Sequence, residues 1–234
     1  MCSSDLVAHH NERVERGVVP RRSGEVHAAG DGDLTLGEQV RWAMYTVILV
    51  AITVVMYQRD EHTEHRQLRR IESLIAAGRE QELYPFLAAD DPDAVHLATQ
   101  GLWECWLNEK GPAARHVLEL GVQAMNAGNF AGADRIFTRL TREYPDWAEA
   151  LNKQATLLYL RQQPAASLAI CQRVVRLKPN HFGAWAGLAM CAMRLEDWSL
   201  ARHACREAMR IQPHSIEHQR VLSVIELHIP ALDV

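Results

Sequence analysis

From about residue 114 onward the apolar and small side chains follow a pattern that returns every 34 positions, marked by Pro145, Pro179 and Pro213. Twelve residues before each proline stands a small side chain, Ala133, Ser167 or Ala201. Eight before it stands Phe137, Cys171 or Cys205, and five before it Leu140, Val174 or Ala208. Positions i, i+4 and i+7 share one face of an α-helix. Each stretch therefore predicts a helix that stops just ahead of a proline, whose missing N–H and fixed φ prevent further winding. A second helix precedes each one, with Val117, Leu120 and Gly121, then Leu151, Gln154 and Ala155, then Trp185, Leu188 and Ala189 in matching register. The small residue in third place lets the two helices approach closely. Gly128-Asn129, Gln162-Gln163-Pro164 and Glu196-Asp197 supply the turns between them. Paired helices of this length stack into solenoids.

The third unit, with Trp185, Leu188, Ala201, Ala208 and Pro213, resembles the tetratricopeptide repeat most closely. The middle unit departs from that pattern at Gln154 and Ser167. The strings Asn152–Leu160 and Leu177–Ala184 look like a group of such repeats from bacteria and photosynthetic eukaryotes, whose members are mostly of undefined molecular function. The resemblance covers about residues 95–228. It implies an all-α, right-handed solenoid of three full repeats, at residues 114–147, 148–181 and 182–214. One period upstream, Thr99, Trp103 and Trp106 fill the small, aromatic and apolar slots, so residues 92–110 read as the second helix of a degenerate unit (79–113) covering the first repeat. Its first helix is cut short by Pro85 and Asp90-Asp91-Pro92. Downstream, residues 215–229 form a capping helix, with Glu217, His218, Arg220 and Glu226 as the wet outer face that terminal repeats need.

Trp42 to Gln58 carries no charge and shows no amphipathic face. It spans roughly 25 Å as a helix, at the short end for crossing a bilayer. Trp42, Tyr45 and Tyr57 stand where interfacial aromatics belong, and Arg41 and Arg59 bracket the stretch. The positional excess of Arg59, Arg66, Arg69 and Arg70 over Arg41 and Arg22 places the repeats on the cytosolic side, or the matrix or stromal side of an organelle. A core or partner-buried helix is the alternative. Beyond it, Leu68, Ile71, Leu74 and Ile75 form a one-sided stripe, so residues 38–78 read as a transmembrane helix with a juxtamembrane extension. Residues 1–37 lack apolar periodicity and are expected to be disordered. Their first six residues resemble a translated sequencing-adapter fragment.

Net charge is −4, which gives no global reason to expect nucleic acid. Arg142, Arg176 and Arg210, with Arg139, Arg173 and Arg206, form a basic ridge near the helix ends, where the macrodipole favours cations. Five cysteines without a Cys-x-x-Cys pair, three of them on apolar helix slots, read as compact hydrophobes in a reducing compartment. No nucleotide loop, nucleophile arrangement or metal spacing occurs; His214 and His218 lack a third ligand. No enzyme activity, cofactor or metal is expected.

The resemblance implies that the first helices line a concave groove. Side chains left free by packing there are Arg115, Leu118, Val122 and Met125; Glu149, Asn152, Thr156 and Tyr159; then Gly183, Ala186, Met190 and Met193. This methionine-rich floor suits a helix or an extended segment of a protein partner, unless the chain's own N-terminal or capping helix fills it. The positions where chaperone adaptors clamp a carboxylate hold Leu118, Val122, Gly183 and Gly187, with only Lys153 basic, which argues against a chaperone-tail clamp. The expectation is a membrane-anchored scaffold or assembly factor. A structural subunit of a membrane complex is the second reading, and a module contacting RNA or anionic lipid the third.

Overall fold

The computed structural model describes residues 35–229. The expected disorder of the N-terminal segment lies almost wholly outside them. Internal contacts divide the chain into two units, Met1–Ile52 and Thr53–Val234.

The first unit contributes the start of helix α1 (Leu36–Ala76). Within it the Thr46 hydroxyl donates to the carbonyl oxygen of Ala43 at 2.8 Å, keeping its polar group satisfied inside the helix. Trp42 and Tyr45 meet edge to face. Gln39–Tyr57 has a mean hydropathy of 1.8 and none of it is buried by the rest of the chain. It is long and apolar enough to cross a membrane.

The second unit is all helical among its described residues. After the end of α1 come α2 (Glu80–Leu83), a 3-10 turn (Tyr84–Ala88) and α3 (Pro92–Asn108). Three helix pairs follow: α4 (Gly111–Asn126) with α5 (Phe130–Glu143), α6 (Ala148–Leu160) with α7 (Pro164–Leu177), and α8 (Phe182–Arg194) with α9 (Trp198–Ile211). Helix α10 (Ile216–Glu226) closes the array.

The 34-residue period is written in the backbone. Tyr144, Lys178 and Gln212, each preceding a proline, end α5, α7 and α9 with ψ near 76–86°, as the proline ring forbids helical geometry in the residue before it. Gly128, Gln162 and Glu196, also 34 apart, turn the chain between paired helices with φ of 75°, 61° and 59°. Side-chain caps then start the next helices: Asn129 accepts from the Gly132 N–H, Asp197 from Leu200 and Ser215 from His218, each satisfying an otherwise orphaned donor.

All nine slots on α5, α7 and α9 that the spacing marks as inward are buried. The polar one, Ser167, donates to the Ala155 carbonyl oxygen at 2.7 Å. A Cβ on Gly121 would sit 2.4 Å from the Phe137 ring, so that crossing requires glycine. The first repeat departs from expectation on α4. Leu120 is exposed, and the buried stripe is Ala114, Leu118, Gly121 and Met125. On α10, His218 is buried rather than on the wet face, and burial pushes its imidazole below the ordinary value.

A left-handed backbone costs an L-residue about 1–2 kcal/mol, a cost glycine escapes. Glu196→Gly is expected to stabilise the chain by about 1 kcal/mol, read as a raised melting temperature in detergent solution; at Gln162 the same change also removes a hydrogen bond from Arg194, which offsets the gain.

Candidate protein-binding surface

The surface to examine is the face presented by α4, α6 and α8, and its first turn is already occupied. Helix α3 packs against α4 and α6 and reaches both turns that join one repeat to the next and the turn that leads into α10. At its C-terminal end, the Trp147 indole donates to the Trp106 carbonyl oxygen at 2.8 Å, and Lys110 meets Asp146 at 2.8 Å. In its middle, Trp106 stacks on His181 with ring centroids 4.1 Å apart, and Trp103 meets Phe182 edge to face. Nearer its start, Gln212 donates to Thr99 at 3.3 Å. Helix α3 occupies the stretch expected to be the second helix of a degenerate unit, and it does not merely cover the first repeat. Its two indoles pack along the turns.

Glu80 ties this segment down. Its carboxylate accepts from the Trp106 indole at 2.9 Å, the Tyr84 hydroxyl at 2.7 Å and the Lys178 ammonium at 2.8 Å. Burial pushes the carboxyl up, but these donors outweigh it and hold it below the ordinary value. Lys178 also lies 3.3 Å from Glu109.

Beneath Trp106 sits a fully buried carboxylate–imidazole contact. His181 Nε2 lies 3.1 Å from Glu149 Oε2, both side chains being inaccessible. The other ring nitrogen, Nδ1, accepts from the Ala184 N–H and so caps α8. Asn152 donates to Glu149 at 3.1 Å, and the Lys153 ammonium lies 2.7 Å from Oε1. Burial raises the Glu149 carboxyl, while His181 and Lys153 more than offset this and leave it below the ordinary value.

The groove candidates fall into four rows with the repeat period, and the rows fare differently. In the first, Arg115 is paired with Glu104 of α3 and with Glu119 at 2.7 Å, Glu149 is buried, and Gly183 touches Trp103. In the second, Leu118 and Asn152 are buried and Ala186 is half-buried. In the third, Val122 is half-buried while Thr156 and Met190 are exposed. In the fourth, Met125 is buried, and Tyr159 and Met193 are half-buried. Leu118, Met125, Glu149 and Asn152 are thus core or ion-pair residues and not groove floor. On α4 the i, i+4, i+7 and i+11 stripe faces inward, and on α6 the carboxylate is claimed by His181. What stays open is the row Val122, Thr156, Met190, flanked by Tyr159.

Sequence reasoning missed Glu80, Lys178 and His181. His181 shares its slot with Trp147 and Ser215, each directly preceding a first helix; that register was the available signal. On the opposite side the basic ridge is partly engaged: Arg173 donates to the Pro145 carbonyl oxygen, Arg206 pairs with Glu226, and Arg210 with Glu207. Among the described residues no group of three or more His, Cys, Asp or Glu side chains is placed to hold a metal. Cys171, Cys191 and Cys205 are buried and unbridged.

An all-helical array of stacked helix pairs defines a solenoid class. Residues 118–182 match the family model described as tetratricopeptide repeat. A comparison with curated protein sequences gave no match. Among solved structures, the first such domain of Spaghetti (RPAP3), bound to an HSP90 peptide, is 17% identical with a TM-score of 0.48, over 49% of this chain and 90% of that one. The Sgt2 domain from Aspergillus fumigatus is 18% identical with a TM-score of 0.48, over 53% and 89%. The MamA protein is 15% identical with a TM-score of 0.47, over 70% and 83%.

Leaving a buried donor without its acceptor costs about 1–3 kcal/mol, and Glu149→Ala, which removes the acceptor facing His181 Nε2, is expected to destabilise the chain by that order in chemical denaturation. The folded-state value of Glu149 is depressed below 4.5. Its stabilisation is therefore complete above the unfolded value and lost as pH falls through the folded one. A Glu149→Gln chain should lack that component of acid destabilisation.

Proposed function

We propose that this chain is a membrane-anchored, non-catalytic scaffold that holds a protein partner on the face lined by α4, α6 and α8. The observation that carries the reading is the open row Val122, Thr156 and Met190. It crosses all three repeats, and methionine and tyrosine side chains beside it adapt to the shape of a bound segment. The Thr156 hydroxyl is already directed to the Asn152 carbonyl oxygen at 3.0 Å, so apolar contact carries most of the binding. A carboxylate clamp is not favoured: the lysine suited to it, Lys153, is committed to Glu149 and lies 5.1 Å from the Trp103 ring centre.

Gln39–Tyr57 serves as the anchor in this reading. The arginines Arg66, Arg69 and Arg70 that follow it put the repeats on the cytosolic, matrix or stromal side. The function is to concentrate a partner at a bilayer, with no reaction carried out by the repeats themselves.

Two outcomes are expected. The full chain should remain with membranes through alkaline carbonate washing and be released by detergent; release by carbonate alone would remove the anchor from the proposal. Proteins co-purifying with the detergent-solubilised wild type should be lost from a Tyr159→Ala, Met190→Ala chain of unchanged helicity. Equal capture by that folded variant would remove the open row.

A further inference from the structure

Helix α3 shows what the covered part of the repeat face recognises. Three cations of the repeats, Arg115, Lys153 and Lys178, meet a segment carrying Glu104, Glu80 and Glu109 beside two indoles. Lys153 stands 5.1 Å from the Trp103 ring centre and Lys178 5.9 Å from that of Trp106, within cation–π range. The notch for Trp103 depends on Gly183, where a Cβ would come within 2.5 Å of the indole. Shape, charge and aromatic contact thus complement one another at one place.

The segment also has a core of its own. Ile71, Leu74, Leu83, Leu87, Ala94, Ala98 and Leu102 pack together, and among the buried members of that cluster the repeats add only Phe182 and Ile211. Lifting the segment therefore leaves most of its apolar cluster intact. The charged contacts lie in partly solvated positions, where each contributes little. Only Glu109 and Lys110 separate α3 from α4, and Gly111 stands there at a φ of 84°, a ready pivot.

We propose that α3 is a displaceable, built-in ligand, and that the covered face binds in trans a protein helix bearing two aromatic side chains one turn apart, flanked by carboxylates. The proposal rests on the reading of this face as protein-binding. The occupant is inferred from charge complementarity and from the segment seated there. A partner must compete with α3, so its apparent affinity is reduced by the fraction of chains in which the face is closed.

The test is a titration of a fluorescent synthetic peptide, residues 80–110 of this chain, into the full-length protein in detergent micelles. Wild type should bind it weakly. Trp103→Ala with Trp106→Ala in the protein should tighten binding by about tenfold or more, the gain expected when a face open in a tenth of chains becomes fully open. Adding Lys178→Glu to that background should reverse the gain. Because Trp106 is fully buried, a Glu80→Gln, Glu109→Gln chain provides a second, milder release with both indoles retained, and should also bind more tightly than wild type. If neither folded variant gains affinity, the proposal is overturned. It is also overturned if the wild type sediments as a dimer that both release variants abolish, since a second copy then fills the face. The peptide reports on the covered part alone, so its failure is distinct from unchanged capture through Tyr159 and Met190.

Discussion

The second unit depends on one imidazole. His181 caps α8 through Nδ1, pairs with Glu149 of α6 through Nε2, and carries the stacked ring of Trp106. A charge or a polar ring buried without partners would cost several kcal/mol. Here both ring nitrogens of His181 are engaged, and the Glu149 carboxylate meets His181, Asn152 and Lys153, so the site fixes geometry. The second and third repeats are joined at this point, and α3 is attached there too. The period that builds the solenoid repeats the position but not the residue: Trp147 and Ser215 occupy the same slot and make different contacts.

The period made the second helices legible. Ala133, Phe137 and Leu140 and their counterparts are read correctly because their burial is set by the neighbouring helix of the same unit, a local relation. The first helix of the first repeat is another matter. Its buried residues Leu118 and Met125 share a cluster with Phe137 and Leu140 of α5 and with Ala150 and Leu157 of α6, so the side that α4 buries is set by two helices at once. Leu118 and Met125 are then inside and Leu120 is out. Trp103 and Trp106 fit the spacing of a degenerate unit, but their contacts reach Trp147, His181 and Phe182, far away in sequence, and no periodicity encodes such pairings. The Glu149–His181 pair was hidden for the same reason: a carboxylate on a groove slot looks available until its distant partner is known.

Burial on the repeat face changes from row to row, from ion pairs and indoles at the first turn to exposed Thr156 and Met190 farther along the helices. Polar, directional contacts thus lie where the chain binds itself, and adaptable apolar ones where it does not. The two chemistries suit different tasks, since fixed charges select a register whereas methionine tolerates variation.

The turn tips carry one more consequence. At Gln162 a glycine would be relaxed, yet the side chain that glycine lacks receives a hydrogen bond from Arg194 of the next repeat. The strained backbone holds out an amide that spans two units. The twist between successive repeats sets the curvature of a solenoid, and a bond across their tips resists changes in that twist. Local conformational ease and resistance of the whole array to bending are therefore opposed at this residue, and the chain has kept the second.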